Sequence, residues 1–193
     1  MKCKKEEFVK GEYFHIYNHA VGNNLLFRKD DDYKYFLDKF LHSILKYPST
    51  IVVYCLMPNH FHFFIRQDED EPIYRIFNDT FTAYTLHYNS IYHRKGTLFQ
   101  GPLQHIHIKG NSYFIQLCKY IHYNPKKAGL VKDLKQWKFS NYLEWIGLRI
   151  SDFFSSEFIN MYPDDFNNYE KTIFEYEKFM NESEFNKILL DNN

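Results

Sequence analysis

The sequence predicts a mixed α+β domain whose elements follow in the order β-α-β-β-α-β, with further helices after them. Three observations lead to this prediction. Four short segments are rich in aromatic and β-branched residues, as strands are. Two longer segments between them carry apolar residues at helical spacing. Gly, Pro and Asn residues separate the segments, where turns are expected.

The first strand and helix are predicted near the start. Residues 12–19 are rich in aromatic side chains and end at the Gly22-Asn23-Asn24 turn. Asp30-Asp31-Asp32 opens a helix, because acidic residues complement the positive end of a helix dipole, and Pro48 ends it. The apolar residues of this helix are Tyr33, Phe36, Leu37, Phe40, Leu41, Ile44 and Leu45.

A hairpin, a second helix and a fourth strand complete the predicted order of elements. Residues 51–57 are apolar and β-branched, Pro58-Asn59 turns the chain, and residues 60–66 return as a neighbouring strand. A second amphipathic helix is predicted from Ile73 to about Tyr92, and residues 103–108 alternate as a fourth strand. This order is the split β-α-β arrangement, a ferredoxin-like antiparallel sheet with two helices on one face.

The chain after residue 108 is predicted to be mainly helical. A third helix is expected over residues 113–124, capped by Asn111-Ser112 and stopped by Pro125. A shorter element follows around residues 140–148, and a final helix is expected from Asp165 to about Asn181. We therefore divide the chain into a domain over residues 1–148 and a C-terminal helical extension over residues 149–193.

Charge is distributed unevenly along the chain, although the net charge is zero. Residues 151–193 hold ten acidic residues and three lysines, so the other 150 residues carry 21 basic and 14 acidic residues. A basic body suggests a nucleic-acid partner, and a solvated acidic helix on an ordinary domain is the open alternative. One hypothesis is that the acidic extension folds over the basic face and restrains activity.

Composition indicates the compartment. No apolar run approaches membrane-spanning length and the first residues lack the apolar core of a signal peptide, so we expect a cytoplasmic protein without a membrane partner. The three cysteines, Cys3, Cys55 and Cys118, are widely spaced and are predicted to be free thiols. The 17 Tyr and 20 Phe residues mostly belong to a core, although some would suit base stacking.

Two histidines lie in the strand that follows Pro58-Asn59. Successive strand side chains alternate faces, so His60 and His62 point to one side and the intervening Phe61 to the other. Two imidazoles on one side suit a divalent metal, yet two ligands alone make a poor site. His105 and His107 have the same spacing on another predicted strand. They could be metal ligands, or they could instead face DNA or solvent.

The predicted third helix carries a second candidate group. Tyr120 and Asn124 are four residues apart and share a helix face, whereas Phe114, Cys118 and Ile121 lie on another face and can bury it. A tyrosine hydroxyl can attack phosphorus and hold the strand as a covalent ester. An amide oxygen can bind a hard cation. Most tyrosines, however, are packing residues with a polar tip.

These segments resemble a known family. Met57-Pro58-Asn59-His60-Phe61-His62, followed by the run from Tyr120 to Val131, resembles the single-tyrosine HUH transposases. The resemblance is closest to the REP-associated tyrosine transposases of the IS200-like insertion-sequence family. Tyr13-Phe14-His15-Ile16 and Trp137-Lys138-Phe139-Ser140-Asn141-Tyr142 fit the same family, and the similarity covers roughly residues 8–146.

The resemblance implies a role for each position. His60 and His62 would hold Mg²⁺ or Mn²⁺, with Asn124 at the position of a third ligand that is often Gln in the family. Tyr120 would be the nucleophile that forms a 5′-phosphotyrosine and releases a 3′-hydroxyl. Tyr123 is the competing nucleophile, three residues further along the helix.

The resemblance also implies a single-stranded DNA partner that forms hairpins. Insertion-sequence members act as dimers that exchange the tyrosine helix, whereas REP-associated members can be monomeric, so a homodimer is one open possibility. Basic residues around the tyrosine suit phosphate contacts, with a solvated helix end as the alternative. The candidate DNA contacts are Lys119, Lys126, Lys127, Arg94 and Lys95.

The predicted function is therefore a metal-dependent transposase that cleaves and rejoins hairpin-containing single-stranded DNA. A non-catalytic hairpin-DNA-binding protein derived from such an enzyme is the first alternative. An HUH nickase of the replication-initiation or relaxase type is the second, and a structural metal-binding domain is the third.

Overall fold

The computed structural model describes residues 8–110, 113–151, 158 and 168–182. In chain order its elements are β1 (Tyr13–His19), α1 (Asp30–Lys46), β2 (Ser49–Met57), β3 (His60–Gln67), α2 (Tyr74–Ile91), β4 (Gln104–Ile108), α3 (Phe114–Lys127), a short 3-10 helix (Leu134–Gln136), α4 (Tyr142–Trp145) and α5 (Tyr169–Glu182). The predicted order of strands and helices is confirmed. The start of the final helix at Asp165 and the Asn111-Ser112 cap lie outside the described residues.

The four strands form one antiparallel sheet in the order β2-β3-β1-β4. This order confirms the ferredoxin-like split β-α-β prediction. The two central strands, β1 and β3, pair with His19 opposite His60 and Tyr17 opposite His62. β2 and β3 are neighbours joined through Pro58-Asn59. The centre of the sheet is therefore the place where residues from the first strand and the hairpin meet.

Helices α1 and α2 cover one face of the sheet. Alternate residues of the central strands, such as Phe14 of β1 and Phe61 of β3, are buried in one cluster with Phe36 of α1 and Phe77 of α2. The acidic start of α1 acts as predicted, because the Asp32 carboxylate accepts backbone N–H groups ahead of the helix. Two helices on one face are thus confirmed.

Helix α3 covers the opposite face. Its residues Phe114, Cys118 and Ile121 are buried with Cys55 and Phe64 of the sheet in a second cluster. Helix α5 packs in turn against α3, and a third small cluster joins the two helices. No helix in the described ranges is both long enough and apolar enough to cross a membrane.

Helix α3 continues past Pro125, so the prediction that it stops there is wrong. Proline lacks the N–H that would bond the carbonyl of Ile121, but the Asn124 Nδ2 group donates to that oxygen at 3.4 Å instead. The helix ends after Lys127, where Leu130 N donates to Pro125 O and Gly129 N to Lys126 O. Gly129 has φ +69°, and this left-handed residue closes a Schellman motif.

Candidate active site

Four histidines gather on the sheet face that α3 covers. His60 and His62 project from β3, as predicted, and β1 adds His15 and His19 from the neighbouring strand. The rings of His60 and His62 have centroids 5.1 Å apart at an angle of 82°, and His19 stacks on His60 at 5.0 Å. Sequence reasoning did not assign His15 and His19 to the site, although the alternation of β1 puts both on one face of the sheet.

Hydrogen bonds orient the two predicted ligands. His60 Nδ1 donates to Asn59 Oδ1 at 2.8 Å. His62 Nδ1 shares a hydrogen bond of 3.0 Å with His15 Nε2. The Nε2 lone pair of His60 is therefore available to a metal, and that of His62 is as well when its Nδ1 carries the proton. Such partners fix the tautomer and the ring orientation of metal-binding histidines in general.

Burial keeps these imidazoles neutral at neutral pH. It lowers the pKa of His60 to about 4, with a further contribution from His19. Burial first, and then the neighbouring His15, His60 and His19, hold the pKa of His62 well below its usual value. The neutral form is the one that binds a metal ion, so the surroundings favour that use.

Helix α3 brings Tyr120 to the histidines of the same chain. The Tyr120 ring lies edge-on to His62, with centroids 5.6 Å apart, and 6.5 Å from His15. Burial raises the pKa of Tyr120, Tyr113 raises it further, and a hydrogen bond with Asn124 opposes the shift. A nucleophile candidate and a pair of metal-binding candidates from distant parts of the sequence thus share one site.

Asn124 lies one turn after Tyr120 and is buried. Its Nδ2 donates to Tyr120 O at 2.9 Å, so its Oδ1 remains an acceptor. Within the described ranges, no three His, Cys, Asp or Glu side chains are grouped to hold a metal. The third ligand that the resemblance implies is the Asn124 amide oxygen. Two imidazoles and an amide oxygen fit a divalent ion such as Mn²⁺, with phosphate or water oxygens completing the shell.

Tyr123 lies in different surroundings from Tyr120. It is buried with Tyr176 and Met180 of α5, and its ring is 5.8 Å from that of Tyr176. Burial, followed by the charge of Glu177, raises the pKa of Tyr123. Of the two candidate nucleophiles, Tyr120 is the one whose ring lies close to those of His62 and His15.

The second His-x-His pair lies on the opposite face of the sheet. His105 and His107 pair with Ile16 and Phe14 of β1, whose side chains belong to the α1–α2 core. His107 stacks on Phe14 with centroids 5.0 Å apart, and its Nε2 is 2.9 Å from a carboxylate oxygen of Glu12. The sheet therefore separates this pair from His60 and His62.

The predicted phosphate contacts fall into two groups. Lys119 is only 9% exposed and lines a groove between α3 and α5. Lys126 makes an ion pair of 2.7 Å with Glu177 of α5, whereas Lys127 is exposed. Arg94 and Lys95 lie apart from these, in the loop after α2. The acidic helix α5 thus meets one of the predicted basic residues directly.

The fold matches a solved transposase structure. A REP-associated tyrosine transposase bound to a REP hairpin aligns with 80% of this chain and 98% of its own, at TM-score 0.66 and 15% sequence identity. A candidate transposase from Deinococcus radiodurans R1 aligns with 63% of this chain and 95% of its own, at TM-score 0.41 and 17% identity. No protein-family model matches the sequence, and no curated protein matches it. The resemblance inferred from the sequence is confirmed at the level of the fold by the first structure.

Proposed function

We propose that this protein is a single-stranded DNA transposase that cuts and rejoins hairpin-containing DNA with Tyr120 as its nucleophile. The observation that carries the proposal is the approach of the Tyr120 ring to His62, 5.6 Å between centroids, on the face that also holds His60. The similarity in fold to a transposase that was solved with a DNA hairpin supports the choice of substrate.

The chemistry follows from the residues in the site. The Tyr120 oxygen forms a bond to phosphorus while the bond from phosphorus to the 3′-oxygen breaks, which leaves a 5′-phosphotyrosine and a 3′-hydroxyl. The phenol loses one proton and the departing 3′-oxygen gains one, so the step is balanced. Rejoining is the reverse attack by a 3′-hydroxyl and needs no nucleotide cofactor, since the ester conserves the energy of the cut bond.

Three side chains are proposed to hold a divalent cation, Mn²⁺ or Mg²⁺: His60, His62 and Asn124 through its Oδ1. The cation would supply Lewis-acid polarisation of the scissile phosphate. The protein's own contribution is orientation, because His15 and Asn59 fix the two rings and the Asn124 amide is fixed by its bond to Tyr120 O.

A protein that binds hairpin DNA without cutting it is the second candidate. The observation in its favour is the raised pKa of Tyr120, which burial causes and which opposes formation of the phenolate. Cleavage by Tyr120 would then require a nearby positive charge, such as a divalent cation, to offset this shift.

The test is a search for the covalent intermediate. Labelled single-stranded hairpin DNA is incubated with Mn²⁺ and wild type, Tyr120→Phe or Tyr123→Phe, and the products are run on a denaturing gel. We expect a protein–DNA band with wild type and Tyr123→Phe only. A band that survives Tyr120→Phe and is lost in Tyr123→Phe would move the nucleophile to Tyr123. No band with any of the three, alongside retained DNA binding, would favour the binding-only candidate.

A further inference from the structure

Two arginines meet at one buried tyrosine ring near the end of α2. The Arg28 guanidinium carbon lies 4.4 Å from the centroid of Tyr92 and 5.5 Å from that of Tyr88. The Arg94 guanidinium carbon lies 5.6 Å from the same Tyr88 centroid. We call Arg28, Tyr88, Tyr92 and Arg94 the arginine cluster. Its two positive charges are within about 11 Å of each other, because both lie within 6 Å of one ring.

The charge of the arginine cluster is only partly offset within the part of the chain that the structure describes. Neither Arg28 nor Arg94 makes an ion pair there. The neighbouring Asp32 carboxylate instead accepts the backbone N–H groups of Arg28 and Lys29 and the Tyr92 hydroxyl at 2.7 Å. Two guanidinium charges therefore face one carboxylate, and the remaining positive charge favours the binding of an anion.

Arg94 also carries an unsatisfied donor. Its Nη1 atom is buried and has no hydrogen-bond partner among the described residues. A buried guanidinium donor without an acceptor is costly, so such an atom indicates a ligand or water that completes it. A guanidinium fork matches the geometry of a phosphate, so the backbone phosphates of DNA are ligands that suit each of the two arginines.

The loop that presents Arg94 is held in shape. Arg94 N donates to Asn89 O at 2.9 Å, and Asn89 Nδ2 donates to Gly96 O at 2.9 Å. His93 takes a left-handed conformation, with φ 50°, between α2 and Arg94. Non-glycine residues adopt this conformation at a cost, and the loop hydrogen bonds offset it. Arg94 is therefore positioned before any ligand arrives.

The chain segments that carry Arg94 and Arg28 are both hydrogen-bonded to the candidate active site. Downstream of Arg94, Gln100 N donates to His19 O at 2.8 Å, next to a bridge between Phe99 and Ala20. Just before Arg28, the Leu26 N–H donates to Pro58 O at 2.8 Å, two residues before His60. The segments that carry Arg28 and Arg94 are thus tied to the end of the sheet where His19 and His60 are. A DNA strand that reaches both sites would pass around this end of the sheet.

We propose that the arginine cluster binds backbone phosphates of the same DNA strand, next to the scissile phosphodiester. The inference rests on the proposed function, because it takes the DNA strand to run from the histidine cluster. It adds Arg28 to Arg94 as a second phosphate contact and assigns to Tyr88 the role of a buried support that both guanidiniums face. Phosphate contacts of this kind set the position of the strand and carry no sequence information.

The first experiment measures binding of a labelled single-stranded hairpin DNA by fluorescence anisotropy, without divalent metal so that no cleavage occurs. Arg28→Gln/Arg94→Gln is compared with wild type and with Lys10→Gln/Lys46→Gln. The control pair removes the same charge from exposed lysines that pair with Glu69 and Asp79. We expect Kd to rise about tenfold or more for the arginine pair only. The slope of log Kd against log salt should fall by about 0.7–0.9 per lost contact.

The outcomes separate the inference from the proposed function. If wild type binds the hairpin and the arginine pair behaves like the lysine pair, the inference is wrong and the proposed function stands. If wild type binds no hairpin DNA, both are wrong. Should the Arg28→Gln/Arg94→Gln variant fail to fold, Arg94→Gln alone replaces it, because it leaves the hydrogen bond from Arg28 Nε to the Tyr88 hydroxyl intact. A Kd unchanged from wild type would then overturn the inference.

A second measurement places the contact on the DNA. Single phosphates on both sides of the cleavage position are replaced one at a time by neutral methylphosphonates. For wild type we expect one or two adjacent replacements to weaken binding by about tenfold, and for Arg28→Gln/Arg94→Gln the same replacements should have no further effect. Additive losses in the variant would mean that other residues contact those phosphates.

Discussion

The buried hydrogen bond between Tyr169 and His122 should be measurable in the stability of the protein. Tyr169 begins α5, and its hydroxyl donates to His122 Nδ1 of α3 at 2.9 Å. On the other side of the ring, His122 Nε2 donates to Asn141 Oδ1 at 3.0 Å. Asn141 itself bonds the β2 backbone at Val52 and Tyr54. One histidine therefore links α5 and α3 to the segment that precedes α4 and to the sheet.

Tyr169→Phe removes the hydroxyl and leaves His122 Nδ1 buried without a hydrogen-bond partner. Both side chains are 1% exposed, so water does not replace the hydroxyl without rearrangement. The unsatisfied His122 Nδ1 should lower the free energy of unfolding by about 1–3 kcal/mol. For a chain of this size, each kcal/mol corresponds to a fall in Tm of roughly 2–4 °C.

The assay is urea unfolding followed by far-UV circular dichroism, with Tyr35→Phe as the matched control. The Tyr35 ring stacks on His87, and its hydroxyl makes no hydrogen bond within the described part of the chain. The control should change the free energy of unfolding by less than about 0.5 kcal/mol. Equal values for the two variants would refute the account of His122 as a buried junction.

Three further predictions concern pH, charge and ring orientation. Burial lowers the pKa of His122 to about 3, so below pH about 6.5 the unfolded chain binds a proton that the native state does not, and stability falls as pH falls. Between pH 6 and 4, the free energy of unfolding of wild type should fall more steeply with pH than that of His122→Gln, by about 1.4 kcal/mol per pH unit. Parallel slopes for the two proteins would contradict this prediction. Glu170→Gln/Glu177→Gln frees two lysines from α5 and should tighten hairpin-DNA binding several-fold in anisotropy titrations. The control Glu69→Gln/Asp79→Asn removes the same charge away from α5 and should tighten binding less. Equal effects, or weaker binding by the α5 variant, would remove the hypothesis of restraint. His15→Phe removes the hydrogen-bond partner of the His62 ring and should weaken Mn²⁺ binding about tenfold. Free Mn²⁺ is measured by electron paramagnetic resonance during a titration. An unchanged Mn²⁺ affinity would show that His15 does not orient His62 for metal binding.

Periodicity was enough to predict the sheet and its helices, because each element has a local pattern. Alternation put His60 and His62 on one side and Phe61 on the other, and burial of Phe61 in the α1–α2 core agrees with it. Spacing placed Tyr120 and Asn124 on one face of α3. Pro125 was misjudged because the local rule for proline ignores a side chain that replaces the missing donor, as Asn124 does here.

Contacts between distant segments could not be predicted from spacing. His15 bonds His62 only because β1 and β3 are neighbours in a particular register, and a register shift of one residue would turn His15 to the other face. The burial of Lys119 depends on where α5 packs, and the acidic composition of α5 did not specify that position. The arginine cluster likewise joins Arg28 to Tyr88 and Tyr92, which lie 60 or more residues further along the chain.

Consecutive residues of α3 connect the candidate nucleophile to the C-terminal helix. Tyr120 faces the histidines, and Tyr123 packs on Tyr176 of α5. Between them, His122 makes the buried hydrogen bonds to Tyr169 and Asn141. A change in α5 therefore reaches Tyr120 in two ways, through packing and through charge. Tyr169→Phe alters stability without changing charge, and Glu177→Gln alters charge at an ion pair without touching the buried network. If the extension restrains DNA binding by charge, only the second should change DNA affinity; if it does so by holding α3 in place, the first should change it as well.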